Sequence, residues 1–249
     1  MLLPGGEALL RRWIELRGKH QPVPAAEPSQ PEAPEIKEVF TSHYQKNIWG
    51  SEETVSGPGS TLEYTSHIRK EIPRLIDTYK IKRFLDAPCG DYHWFQAMER
   101  PDDLTYIGGD IVDELVRQNQ SRYGNAKTRF MYLDITRDSL PQADLWLCRD
   151  CLFHFSYEDI FKTISNFLNS DITFLLTSIH TECKENTNIH TGEARQLNLE
   201  LPPFNFPRPI LYIKDWIPGF TVRSLGLWTR SMISEAMAPN REIQKIAKR

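Results

Sequence analysis

Two aspartates set the chemistry this chain can do. Asp86 closes the apolar pair Phe84-Leu85 and opens Ala87-Pro88-Cys89-Gly90-Asp91, and Asp110 stands 24 positions later, behind Tyr106-Ile107-Gly108-Gly109. An acid at the end of each of two short apolar runs, at that separation, is the plan of a nucleoside-binding strand–helix–strand unit whose second carboxylate meets a ribose diol. The other reading of Asp110 is a helix N-cap, since the chain from Ile111 onward has a helical pattern. The Pro-Cys-Gly turn cannot continue a strand, and Gly90 lets a ligand come close to the backbone. The glycines then discriminate between ligands. A dinucleotide needs G-x-G-x-x-G so that its pyrophosphate can sit against a helix N-terminus. Here only Gly90 is present, with Pro88 and Tyr92 where flanking glycines would stand, and Asp91 would repel a diphosphate. A cationic ligand without phosphate fits better.

A second group follows Ala143-Asp144-Leu145-Trp146-Leu147-Cys148 as Arg149-Asp150-Cys151-Leu152-Phe153-His154. Open α/β sheets bind ligands beyond the carboxyl ends of their strands, which turns Arg149 and Asp150 toward a site. If the turn after Asp150 is helical, Asp150 and His154 share a face, and the carboxylate can orient an imidazole that takes a proton from a hydroxyl. The other reading of His154 is a packed residue under the sheet edge. Further on, His180, Asn186, Asn188, His190 and Arg195 form a polar set that suits a hydroxylated or anionic small acceptor. His180 and His190 match no known metal-ligand spacing, so no metal is expected. Cys148-x-x-Cys151 lacks the second pair a zinc site needs, and the four cysteines read as ordinary reduced thiols.

The elements that must position these residues follow from the hydrophobic pattern. Apolar runs at 82–86, 104–110, 128–133, 143–149 and 172–178 read as strands, with helices at 92–99, 112–122 and 156–169 between them. Strands alternating with helices predict a parallel sheet covered on both faces. The irregular segment after 185 is proline-rich and aromatic, which points to an ordered insertion. The stretches 210–213 and 220–228 supply the last strands, with Leu225-Gly226-Leu227-Trp228 as the final one. Upstream, residues 36–48 read as a helix with Phe40, Tyr44 and Ile48 at steps of four, and 62–79 as another; Ser56-Gly57-Pro58-Gly59-Ser60 lies between them. We therefore divide the chain into a flexible extension at 1–35, a helical lid at 36–80 and the main domain at 81–249.

In 249 residues with a net charge of −3, nothing points to nucleic acid, which needs a clustered basic surface. No run approaches the roughly 18 apolar residues of a membrane span. With no signal-peptide pattern at the N-terminus, the expected location is cytoplasmic. The sequence gives no oligomeric state.

The run Asp86-Ala87-Pro88-Cys89-Gly90-Asp91 resembles motif I of the class I S-adenosylmethionine (SAM)-dependent methyltransferases, an acid–x–G–x–G pattern in which Pro88 and Tyr92 here replace two glycines. Together with Gly109-Asp110-Ile111 and Cys148-Arg149-Asp150-Cys151-Leu152, it looks like a poorly characterised bacterial-type group of that class. The resemblance implies a Rossmann-like, seven-stranded, mostly parallel sheet with helices on both faces and an antiparallel last strand. It implies SAM as cofactor, held by Asp86, Pro88, Cys89, Gly90, Asp91, Asp110, Ile111, Asp134, Ile135 and Arg149. In that pattern Asp110 takes the ribose, while Asp134 meets the adenine amino group and Ile135 packs on the adenine face; a simple turn aspartate also explains Asp134. Catalysis falls to Asp150 and His154, in O-methylation of a small polar, hydroxylated or sugar-like acceptor. The competing readings are a catalytically inactive module of the same fold and a nicotinamide-dependent oxidoreductase, which would need the missing glycines.

Overall fold

In the computed structural model the described residues are 35–238; apart from Glu35, the expected extension at 1–35 lies outside them. Five strands, β1 (Arg83–Asp86), β2 (Thr105–Asp110), β3 (Thr128–Tyr132), β4 (Leu145–Cys148) and β5 (Phe174–Ile179), run parallel to one another. Two more, β6 (Leu211–Lys214) and β7 (Ser224–Thr229), complete a seven-stranded sheet in the order β3-β2-β1-β4-β5-β7-β6. Strand β7 runs antiparallel to both its neighbours, as expected for Leu225-Gly226-Leu227-Trp228.

Successive strand residues point to opposite faces, so one register builds two cores. Leu85 lies opposite Ile107 and Trp146, Trp146 opposite Leu175, and Leu175 opposite Trp228. This row packs on α5 (Tyr157–Leu168) through Ile160, Ile164 and Phe167, and on α6 (Arg230–Met237) through Ile233. The alternate row, with Phe84, Tyr106, Leu145, Leu147, Leu176 and Leu227, packs on α2 (Ile68–Thr78) and on the Trp94-Phe95 turn. Because both faces are covered, the strands are apolar throughout, which is why they are legible in the sequence.

The remaining helices are α1 (Ile36–Gln45), α3 (His93–Gln96) and α4 (Asp113–Tyr123). Helix α3 is a single turn rather than the expected 92–99: left-handed Tyr92, at φ 62°, delays its start to His93, and the chain leaves the helix at Ala97. The expected 62–79 helix is shorter as well: a 3₁₀ turn at Tyr64–Ser66 precedes α2. The segment read as a lid therefore divides in function. Its first half lies over the sheet's carboxyl edge, while α2 belongs to the core beneath. Among the described residues, no helix is long and apolar enough to cross a membrane.

Candidate functional site

A cleft of about 300 Å³ opens at the carboxyl ends of β1, β2 and β4, between the sheet and the segment 36–60. Of the residues the sequence nominates, Asp86, Pro88, Cys89, Gly90, Asp110, Ile111, Asp134, Ile135, Arg149, Asp150 and His154 all line it. Asp91 does not.

Asp86 and Asp110 are 2% and 6% exposed, so each carboxylate is held out of water by the strand that ends on it. Asp86 accepts a hydrogen bond from the Tyr106 hydroxyl at 2.8 Å. Burial pushes its pKa up to about 7, against the pull of that hydroxyl and of Arg149. Burial likewise raises Asp110 to about 6, although its oxygens accept the Gly90 and Val112 N–H groups at 3.0 Å each. Asp110 is thus not the cap of α4, which is Val112. One bond on each oxygen leaves further acceptor capacity on both. Among the described residues neither acid is in an ion pair, Arg149 acting on Asp86 without pairing with it, and the two make an acceptor set suited to a positively charged ligand bearing hydroxyls. Asp134 opens the loop after β3, accepting the Thr136 N–H and hydroxyl on one oxygen and Arg137 on the other.

Asp91 is a correction. Its carboxylate accepts the Thr54 hydroxyl at 2.7 Å, the Val55 N–H at 3.1 Å and the Ser56 hydroxyl at 3.1 Å, and its own N–H donates back to Ser56 Oγ at 3.0 Å. It ties down a strap, residues 54–60, that crosses the glycine turn. The space a Cβ on Gly90 would need is occupied by Ser56 Oγ, 2.1 Å away, so the glycine admits another part of the chain and not a pyrophosphate. The far end of the strap is fixed by Arg149, whose Nη2 donates to the Gly59 carbonyl at 2.6 Å.

Arg149 and Asp150 belong to a buried quartet that the sequence gives no sign of, since its other two members, Asp215 and Arg223, lie more than sixty residues downstream. Arg149 pairs with Asp215 through two bonds of 2.9 Å, and Arg223 pairs with Asp150 at 2.8 Å and with Asp215 at 3.4 Å. Burial alone would raise the Asp150 carboxyl, but Arg149 and Arg223 beside it hold it below the usual range.

Asp150 consequently does not orient His154. It sits at φ 51°, a left-handed position, and the helical turn starts only at Leu152, so the two side chains do not share a face as expected. The imidazole is held instead by the backbone: Nδ1 lies 2.8 Å from the Glu193 carbonyl oxygen. A carbonyl only accepts, so Nδ1 carries the hydrogen and Nε2 is the basic nitrogen of the neutral ring. Burial lowers the His154 pKa, which keeps the ring neutral at ordinary pH.

The polar set expected to select an acceptor is absent from the cleft walls. The Asn186 amide donates to the Asn198 and Pro202 carbonyls, Asn188 caps Tyr157 N–H, and Arg195 holds the Leu152 carbonyl. Buried His180 accepts the Leu197 N–H. These residues hold the insertion together and fasten it to α5 and to the turn after β4. The walls above the acids are instead Ile36, Phe40 and Tyr44 of α1, with Trp49 and Val55. Helix α1 is seated by Lys37 on Asp113 at 2.5 Å and by Phe40 against Phe155, with ring centroids 5.8 Å apart.

No protein-family model matches the chain, and no characterised sequence matches it. Solved structures do. Human N-acetylserotonin methyltransferase in complex with SAM shares 13% identity at a TM-score of 0.53, over 78% of this chain and 59% of that one. The 1,6-didemethyltoxoflavin-N1-methyltransferase of Burkholderia thailandensis, with its acceptor and S-adenosylhomocysteine, gives 14% and 0.54, over 84% and 97%. Magnesium protoporphyrin IX methyltransferase of Synechocystis, with S-adenosylhomocysteine, gives 15% and 0.52, over 78% and 98%. The chain spans less than two thirds of the human protein and nearly all of the other two. It has the Rossmann-like fold of class I SAM-dependent methyltransferases. The acceptors in these three names are unlike one another, so the fold does not select an acceptor.

Proposed function

We propose that the protein is a SAM-dependent methyltransferase that O-methylates a small hydroxylated acceptor, with His154 as the proton acceptor. The observation that carries this reading is one cleft lined by two buried, cation-seeking carboxylates and by a histidine whose basic nitrogen is Nε2. The donor set fits the cofactor group by group. Asp86 partners the ammonium, Asp110 the ribose hydroxyls, and Asp134 the adenine edge with Ile135 against its face; Pro88, Cys89, Gly90 and Ile111 form the floor. A pyrophosphate finds no equivalent, because the turn after β1 is covered by the strap and leads into only one turn of helix. This favours the methyltransferase over the oxidoreductase.

When bound, the cofactor supplies an electrophilic methyl group on a sulfonium that is already a good leaving group. The chain's own task is then alignment and exclusion of water, worth most of the rate in such a transfer. The strap and α1 exclude water. Arg149 and Arg223 hold Asp150 and the end of the strap in place. Nε2 of His154 takes the acceptor's hydroxyl proton as the new bond forms. The test combines calorimetry with SAM and transfer of labelled methyl from SAM into a metabolite extract. His154→Gln should leave SAM affinity unchanged and lower transfer by ~10²–10⁴. Unchanged transfer in the folded variant would remove His154 from the mechanism; absent SAM binding in the unmutated protein would overturn the whole reading.

A further inference from the structure

The insertion after β5 carries a function of its own. Two successive residues in it grip both the backbone and the ring of His154: the Gly192 N–H donates to the His154 carbonyl at 2.8 Å, and the Glu193 carbonyl accepts from His154 Nδ1, also at 2.8 Å. The same stretch is anchored one residue earlier. Thr191 Oγ1 accepts the Ser156 N–H at 2.9 Å and donates to Asp159 Oδ2 at 2.5 Å, at the N-terminus of α5. Asp159 is 9% exposed, so this anchor is sheltered from competing water.

We propose that Thr191-Gly192-Glu193 is a positioning bracket that fixes His154 as the Nδ1–H tautomer and so presents Nε2 as the base. This rests on the reading of His154 as the proton acceptor. A carboxylate in the bracket's place would draw a permanent charge into the cleft; the Glu193 carbonyl fixes the tautomer without one, its bond raising the ring's pKa less than burial lowers it. Asp150, the carboxylate that acts on the ring, is already engaged by Arg223 and Ser178. The charged or titratable groups that act on the imidazole are Asp150, which favours protonation, and His43 and Arg195, which oppose it along with burial. The bracket also meets the lid. Gly192 sits at φ 106°, and a Cβ there would come within 2.4 Å of Val39 on α1, so no side chain fits between the base's support and the cover.

The test reads the ring directly, with no acceptor required. In the ¹⁵N-labelled full chain, free and with S-adenosylhomocysteine, long-range proton–nitrogen correlations report which imidazole nitrogen is protonated; His154→Gln identifies the signals. Unmutated His154 should be in the Nδ1–H form alone. Thr191→Val, which loses both anchoring bonds at nearly constant shape, should give a mixture of tautomers, and Thr191→Ser should restore the single form. An Nε2–H ring in the unmutated protein overturns the bracket whether or not any variant folds. So does a folded Thr191→Val protein with the tautomer unmoved. The two ideas fail separately: transfer that survives His154→Gln removes the base, whereas lost transfer with a ring indifferent to Thr191 removes only the bracket.

Discussion

Replacing Asp110 by Asn probes the nucleoside site most sharply, because the carboxylate is used on both sides. In the free protein its oxygens each accept one backbone N–H, from Gly90 and from Val112. An amide has one oxygen, so one of those N–H groups loses its partner, at a cost of about 1–3 kcal/mol. Working against that loss, the amide need not be charged in a site where burial lifts the acid from 3.8 to about 6, a relief of roughly 3 kcal/mol above pH 6. The two effects are similar in size, and the melting temperature should move by only a few degrees. The bound nucleoside has no such compensation. Two hydroxyls that would donate to a charged acceptor would share one neutral oxygen, a loss of about 1.5–3 kcal/mol, or about 10- to 150-fold in affinity. Calorimetry with S-adenosylhomocysteine at pH 8 measures it. A second titration with 5′-methylthioadenosine, which has the ribose and lacks the amino-acid end, should show the same factor. Binding of both ligands within twofold of the unmutated protein, in a variant that melts normally, would refute the ribose assignment.

The buried acids also make cofactor binding pH-dependent. Asp86 titrates at about 7 and Asp110 at about 6 when folded, both above their unfolded value near 3.8. The folded protein therefore keeps protons that the unfolded chain has lost, and the stability of the free protein should fall as pH rises from about 4 to about 7. SAM affinity should move the opposite way, gaining up to about tenfold per pH unit between about 6 and 7 and more steeply below 6, because a cation binds the ionised acids and both are protonated there; a flat affinity between pH 5 and 8 would contradict this. Asp91→Asn should loosen the strap without touching the cleft, so hydrogen exchange at the Val55 amide speeds up and S-adenosylhomocysteine dissociates faster; unchanged protection of Val55 would refute the latch. Asp215→Asn leaves Arg149, whose side chain is 4% exposed, without its bidentate partner, and chemical denaturation should show a loss of about 3–5 kcal/mol; a loss under about 1 kcal/mol would mean that Asp150 alone suffices.

Much of this was legible in the sequence, for identifiable reasons. Strands buried on both faces read as plain apolar runs, and Asp86 and Asp110 close two of them, so fold and ligand-facing acids came together. Asp91 misled because an acid beside a glycine turn looks like part of a ligand site, and only the folded chain brings Ser56, 35 residues upstream, onto it. Asp150 and His154 have helical spacing, but spacing carries no information on the left-handed φ at Asp150 that turns them apart. Asn186, Asn188 and Arg195 looked like an acceptor site because amides and guanidinium groups serve carbonyls of the chain as readily as those of a ligand. Arg223 and Asp215 have no local signature at all.

The quartet of Arg149, Asp150, Asp215 and Arg223 sums to zero charge, whereas Asp86 and Asp110, which line the same cleft, add two negative charges once both are ionised, above about pH 7. The site is therefore electrically lopsided. Its field reaches into solvent from the nucleoside end and draws in a cation, while the quartet's end contributes little beyond a few ångströms. An acceptor arriving there is chosen by contact, not by attraction from a distance, and its capture should be insensitive to salt. On the proposed reading the spent cofactor would lack the sulfonium's charge, so the two carboxylates would hold it more weakly than the fresh one, and exchange of one for the other would run downhill.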